Sequence, residues 1–517
     1  MNRNKMLRTL NETPCWDFII IGGGATGLGS AIEASSRGYK TLLLEQSDFA
    51  KGTSSRSTKL VHGGVRYLQQ CNLSLVLEAL KERGILRRNA PHLVHDLPFI
   101  VPNYDWWEGP FYGIGLKLYD TLAGKEGFGP STILSREETI KHIPTIEQEG
   151  LRGGVKYYDG QFDDARLAIN MAETAYEQGA TLLNYMKVMS LVKENQMICG
   201  VEATDCESNK SYSIKSKVVI NATGVFTDSI RKMDDSNSKN IIVSGQGIHI
   251  VLDKSFLPGD SAIMVPHTDD GRVLFAIPWH DYVLVGTTDT EVDEFLLEPI
   301  PEEEEIKFLL SHAARYLTKD PTREDILSVF AGLRPLVKTG EDENTAAISR
   351  DHTLNVSRSG LVTITGGKWT TYRKMAEDTI DHASLLAELE PEKSVTKELR
   401  IHGYHSHADE FGDLEIYGSD AIAIQELLRE EESYKELLHP SFSTLVGEVI
   451  WAVRHEMART VDDFLSRRTR LLLKNAKLSL MVAPKVANIM SKELNKDNFW
   501  IEDQLNQFEN IAKNYIL

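Results

Sequence analysis

Residues 17–45 read "DFIIIGGGATGLGSAIEASSRGYKTLLLE". An apolar run of strand length leads into Gly22, Gly24 and Gly27 at GxGxxG spacing. A small-residue helix follows as far as Arg37 and Gly38, and a second apolar strand from Thr41 to Leu44 ends at Glu45. This order predicts a βαβ unit of an α/β fold. One glycine makes the tight turn, one lets backbone approach a pyrophosphate, and one lets the helix pack close on its strand. A pyrophosphate is favoured at the helix N-terminus by unsatisfied N–H groups and the helix dipole. Glu45, at the end of the second strand, is placed to accept from ribose hydroxyls, and its charge disfavours a 2′-phosphate. The unit predicts dinucleotide binding but does not choose between FAD and NAD.

The chain has 517 residues and a net charge of −18. At roughly 150 residues per domain, about three domains are expected. So acidic a chain lacks the basic face that displaces counterions from phosphate, and no nucleic-acid partner is expected. A local cationic pocket for a small anion remains compatible with it. Cys15, Cys71, Cys199 and Cys206 form no CxxC pair and no cluster with histidines. Free thiols in a reducing compartment, and no metal site, are the expectation. The uncharged stretch 18–32 has 15 residues and five glycines, short of the roughly 20 that cross a bilayer. It also lacks a cleavage pattern, so a cytoplasmic chain is expected.

Two later segments bear on the choice of dinucleotide. "KVVINATGVFTDSI", from Lys217, is an apolar strand ending in Ala222, Thr223 and Gly224, where a backbone turn approaches the dinucleotide again. "GLVTITGGKWTTYRKMAEDTI", from Gly360, is another strand, then Gly366, Gly367 and Lys368, then a helix opened by Thr370 or Thr371. A third stretch, "SSRSTKLVHGGVRYL" at residues 54–68, sets Arg56, Lys59, His62, Arg66 and Tyr67 around a Gly-Gly pair, which suits an anion.

With the opening unit, these segments resemble the FAD-dependent glycerol-3-phosphate dehydrogenases within the amino-acid-oxidase-like flavoproteins. The likeness runs through "IGGGATG", "TSSRSTKLVHGGVRYL", "FDDARL", "NATG", "GRVLFAIPW", "VGTTDTEV", "GLRPL", "ITGGKWTTYRKMAE", "YGSDA" and "TVDDFLSRRTR", nearly the whole chain. It implies a tightly held FAD and oxidation of sn-glycerol 3-phosphate to dihydroxyacetone phosphate, with hydride passing from C2 to flavin N5. Electrons then leave to membrane quinone, with peripheral attachment to the inner face of the cytoplasmic membrane. A homodimer is left open. Rival functions are an oxidase that uses oxygen, a flavin sensor without turnover, and a nicotinamide-linked dehydrogenase. No EF-hand loop of the kind in the family's mitochondrial members is found, and calcium control is not expected.

The chemistry needs a base for the substrate hydroxyl and cations for a dianionic phosphate. His62, between Val61 and the Gly-Gly pair, is either a packed core histidine or the leading general base, with His249 in "GQGIHIVL" its rival. Arg66 and Tyr67 suit a phosphate or substrate contact. Arg334 in "AGLRPL" reads as a constrained loop end that fixes a guanidinium. Lys368 is placed to neutralise reduced flavin or hold phosphate, and Arg272 and Arg350 are further cations. The resemblance puts Gly22, Gly24, Gly27, Glu45, Thr53, Ser54, Ser55, Lys59, Leu60, His62, Ala222, Gly224, Gly366, Gly367, Lys368 and Thr370 around the cofactor.

Other features take plainer readings. "PEEEEI" is an acidic first helical turn, and Asp163 and Asp164 cap a helix closed by Gly179. The aromatic stretch 103–122 packs into a core or lines a substrate domain, or dips into a membrane interface. "RRTR", 467–470, is a basic cluster on a helix, able to touch anionic lipid. The expected layout is an N-terminal extension, 1–16, and a discontinuous Rossmann-like FAD domain of 17–75, 150–232 and 341–390. A mixed or antiparallel-sheet substrate domain takes 76–149 and 233–340, and a C-terminal helical domain takes 391–517. Val446, Ile450, Val453, Met457, Val461 and Phe464 recur at helical spacing there.

Overall fold

The computed structural model describes residues 1–64, 73–105, 108–124, 127–266, 268, 273–338 and 352–517. Arg66, Tyr67, Arg272 and Arg350 lie outside these residues. The strand Trp16–Ile21 pairs in parallel with Thr41–Leu44 on one side and with Ser211–Asn221 on the other. Phe18, Ile19 and Ile20 have no exposed surface, as a strand covered on both faces requires. Ile21 stands level with Leu44 and with Asn221, so Gly22, Glu45 and Ala222 leave the sheet together. Ligands of open α/β sheets bind beyond such carboxyl ends. Thr181–Leu183 and Val362–Gly366 extend the parallel core, and three outer strands complete eight among the described residues.

The helix Ala25–Ser36 crosses between strands and is buried along nearly its whole length. It packs against Tyr372–Leu386, where a β-carbon added at Gly29 would stand 2.8 Å from Tyr372 Cδ2. It also packs on Asp164–Glu177, whose N-cap, Asp163, accepts from Arg166 N at 3.0 Å. Asp164 is not a cap. It lies buried in the first turn and pairs with Lys59.

A second sheet, of ten described strands, is mainly antiparallel. Ile242–Asp253 runs between Tyr282–Gly286 and Ser328–Val337, while Val94–Asn103 pairs along its length with Gly153–Phe162. The span expected to form the FAD domain from residue 150 thus gives its first strand to this sheet. Leu60–Val61 also joins it, against Gly160 and Gln161.

The C-terminal part is helical, through Asp420–Glu430, Val446–His455, Ala476–Glu493 and Asn498–Ala512. The periodic run from Val446 is not one helix. It stops at His455, and Met457 takes a left-handed backbone, φ 55°. The basic cluster is not a solvated face either. Arg467, Arg468 and Arg470 are each 2% exposed or less. Arg467 Nε and Arg468 Nη1 donate to Asp48 Oδ2 at 2.6 and 2.5 Å, and Arg470 pairs with Asp163 at 2.7 Å. These arginines turn inward because carboxylates of the dinucleotide half are there to meet them. "PEEEEI" opens the helix Glu303–Ala314, and Glu305 caps it by accepting from Glu302 N. The aromatic stretch forms Glu108–Ala123, burying Tyr112, Leu116 and Tyr119 while Phe111, Ile114 and Leu118 face out.

Candidate functional site

The glycines of the opening unit divide by what their surroundings leave. A β-carbon at Gly22 would meet Ala222 O at 2.6 Å and one at Gly27 would meet Gly22 O at 1.9 Å, so both are closed by backbone. At Gly24 only Ser54 Oγ lies within reach, at 3.0 Å, and at Gly52 and Gly224 nothing does. Gly24 is the N-cap of Ala25–Ser36 and offers no side-chain cap. The open backbone over this helix end fits a pyrophosphate, with Gly24 at its cap and the turn Thr53–Ser55 beside it. Ser54 Oγ accepts from Ala25 N at 2.9 Å, and Ser54 O accepts from Trp369 Nε1 at 2.9 Å. Thr53 Oγ1 donates to Leu333 O and Ser55 Oγ to Ala50 O.

Glu45 Oε2 accepts from Gly23 N at 2.7 Å and Oε1 from Ser47 N at 2.8 Å. Burial pushes its pKa up against those two donors. The carboxyl group is therefore anchored beside the glycine turn. Gly366 and Gly367 both take left-handed backbone, φ 77° and 73°, before half-buried Lys368. A short turn, Trp369–Thr371, intervenes before the helix Tyr372–Leu386 begins. Thr370 Oγ1 accepts from His62 N at 3.3 Å, joining this turn to the 54–64 stretch.

That stretch runs from the cradle to the second sheet, and its cations are largely spoken for. Arg56 Nη2 donates to Glu298 Oε2 at 2.6 Å. Lys59 has no exposed side-chain surface and lies 2.8 Å from both oxygens of Asp164. The Lys59 ammonium is thus spent on Asp164, since a cation in a dry interior needs its counter-ion, and any approach of Lys59 to a cofactor is left to its backbone. Leu60 is buried as a strand residue.

Thr58 carries the stretch onward, with Oγ1 2.9 Å from His249 Nε2. His249 sits mid-strand opposite Gly286 and Phe330. Its ring stacks on Phe330 with centroids 5.0 Å apart, and a β-carbon at Gly286 would stand 2.2 Å from its Cδ2. Only glycine leaves room for the imidazole there. His249 is 3% exposed and its Nδ1 has no hydrogen-bond partner. Burial, helped by Lys59 and Arg334, holds its pKa well below the usual histidine value, so the ring is neutral.

Arg334 does not end a loop. It lies within Ser328–Val337, opposite Gly245. Pro335 is tolerated because the strand pairs only with Ile242–Asp253 among the described strands. Arg334 Nη1 donates to Asp289 Oδ1 at 2.9 Å, and Nη2 donates to Thr287 Oγ1 and Thr288 O at 2.9 and 2.8 Å. Thr58, Phe330, Thr287 and Asp289 were missed as site residues, although "VGTTDTEV" carried two of them.

Residues 17–373 match the model of the FAD dependent oxidoreductase family, and residues 362–499 that of the C-terminal domain of alpha-glycerophosphate oxidase. The chain is 40% identical to the mitochondrial glycerol-3-phosphate dehydrogenase of Homo sapiens, over 98% of this chain and 74% of that protein. It is 36% identical to that of Schizosaccharomyces pombe, over 100% and 89%. The structure of the glycerol-3-phosphate dehydrogenase from Bacillus halodurans complexed with FAD superposes with a TM-score of 0.81 at 30% identity, covering 99% and 97% of the two chains. The L-alpha-glycerophosphate oxidase of Mycoplasma pneumoniae shares the fold, with a TM-score of 0.59 at 17% identity over 74% and 97%. The chain therefore belongs to the FAD-dependent oxidoreductases, in the branch of the FAD-dependent glycerol-3-phosphate dehydrogenases.

Proposed function

We propose that this chain oxidises sn-glycerol 3-phosphate to dihydroxyacetone phosphate and passes the electrons to a membrane quinone. The carrying observation is a neutral imidazole, His249, held by Thr58 and Phe330 in the same sheet as the clamped guanidinium of Arg334. FAD, when bound, supplies the acceptor for the hydride that leaves C2. His249 takes the C2 hydroxyl proton. Arg334, whose charge Asp289 largely cancels, aligns the C2 oxygen, and Lys368 answers the phosphate charge. His62 serves the cradle through its backbone link to Thr370.

Attachment to the inner face of the cytoplasmic membrane is supported by Phe111, Ile114 and Leu118, exposed at helical spacing on Glu108–Ala123. Among the described residues no helix is long and apolar enough to cross a membrane. The family model of the C-terminal part, described from an oxidase, keeps oxygen as the second reading for the acceptor. The test is anaerobic titration of the yellow protein with glycerol 3-phosphate. Bleaching near 450 nm is expected, with fast recovery on adding quinone and slow recovery in air. Fast recovery in air with peroxide release would favour the oxidase, and no bleaching would reject the substrate.

A further inference from the structure

Away from the dinucleotide cradle, His402 draws three carboxylates around one imidazole. Its Nε2 lies 2.7 Å from Asp420 Oδ2 and 3.4 Å from Glu173 Oε2, and its Nδ1 lies 2.7 Å from Glu177 Oε1. The prospective ligand atoms of Glu173, His402 and Asp420 all fall within 4.8 Å of one another. The backbone of His402 is fixed from both sides: its N–H donates to Thr174 Oγ1 and its carbonyl accepts from Asn170 Nδ2, each at 2.8 Å. Glu173 is 4% exposed, and its Oε2, which faces the imidazole, has no hydrogen-bond partner. A buried carboxylate oxygen is costly unless a cation meets it, and here that cation is either the protonated His402 ring, 3.4 Å away, or an ion that takes the place of its Nε2 proton.

We propose that Glu173, His402 and Asp420 bind one divalent cation of the zinc class, with Glu177 holding the imidazole through Nδ1–H. A carboxylate behind a metal-bound histidine fixes its tautomer and ring direction, and Glu177 stands in that position. One imidazole nitrogen with two carboxylate oxygens suits zinc better than magnesium or calcium, which take oxygen sets. Tetrahedral ligands at roughly 2.1 Å from an ion sit roughly 3.4 Å apart. The Glu173 contact already has that spacing, while the Asp420 contact opens by several tenths of an ångström as the Nε2 proton leaves. The nearby guanidinium of Arg166 does not repel the ion strongly, because Glu456 pairs with it at 2.5 Å. The ligands come from Asp164–Glu177, from the chain entering the C-terminal part, and from the first residue of Asp420–Glu430. The ion would staple the dinucleotide half to the C-terminal helices.

The test uses the full chain loaded with FAD and stripped with chelator, titrated calorimetrically with zinc sulfate. One saturable ion per chain and a raised Tm are expected. His402→Ala should abolish both, Asp420→Asn should weaken binding strongly, and Glu177→Gln should weaken it about tenfold or more. Should His402→Ala fail to fold, the other two variants carry the comparison. Cys15 and Cys206 are exposed thiols, so Cys15→Ser with Cys206→Ser should leave the zinc site intact. Loss of binding in that cysteine variant, undiminished binding in Asp420→Asn and Glu177→Gln, or no saturable binding at all would overturn the site. Magnesium sulfate binding as tightly as zinc would overturn the metal class.

Discussion

Asp289 Oδ1 lies 2.9 Å from Arg334 Nη1, and Thr287 and Thr288 take the other arm of the same guanidinium. The fork is thus aimed before any substrate arrives. Arg334→Lys keeps the charge but loses the planar donors. A lost charge-assisted hydrogen bond of roughly 1.5–3 kcal/mol lowers kcat/KM by about one to two orders of magnitude. With Arg334 at the C2 oxygen, the relative loss should be similar on glycerol and on glycerol 3-phosphate. A loss confined to the phosphorylated substrate would move Arg334 to the phosphate. Asp289→Asn should fall in the same direction by less.

Gly24 and Gly27 should fail differently. Gly24→Val puts its side chain into the open space over the helix end and should give a folded, colourless protein. Gly27→Val drives a side chain into the Gly22 carbonyl, 1.9 Å from where its β-carbon would be, and should not yield folded protein. Absorbance at 450 nm against circular dichroism separates the two. A yellow Gly24→Val would refute the cradle.

The pH profile tests His249. Its pKa lies below 6.5 because burial disfavours the cation. The basic form is therefore kept as pH falls from 8 to about 6.5 and lost only below that. The acid limb of kcat/KM should lie under pH 6.5, and His249→Asn should lower kcat by about 10²- to 10⁴-fold. An acid limb near 6.5 that survives in His249→Asn would assign the base to His62.

Arg468→Met should cost about 3–5 kcal/mol, because it strips half the neutralisation from a buried carboxylate. Arg468 and Arg467 together hold the Asp48 pKa down against its burial. Urea unfolding should show the loss, and adding Asp48→Leu should return part of it. A midpoint unchanged in Arg468→Met would mean that the pair adds nothing to stability.

The sequence was most legible where chemistry is local. Strand, glycine turn, helix and Glu45 fall within one short unit, so spacing alone carried them. It was least legible where charge is cancelled at long range. Arg56, Lys59, Arg467 and Arg468 read as available cations because their partners Glu298, Asp164 and Asp48 lie far away in sequence. Arg334 read as a loop residue because Pro335 suggests a break, and an edge strand removes that objection. His402 gave no metal signal because Glu173 and Asp420 reach it only through the fold.

The Asp48–Arg468 pair also sets an order of events. The two residues are 420 positions apart, and a ribosome adds roughly 5–20 residues per second. Asp48, three residues past Glu45, therefore leaves the ribosome roughly 20–80 s before its counter-ion exists. Through that interval the turn after Glu45 has no reason to leave water. The turn that carries Asp48, although encoded early, gains its counter-ion only after residue 468 has been made.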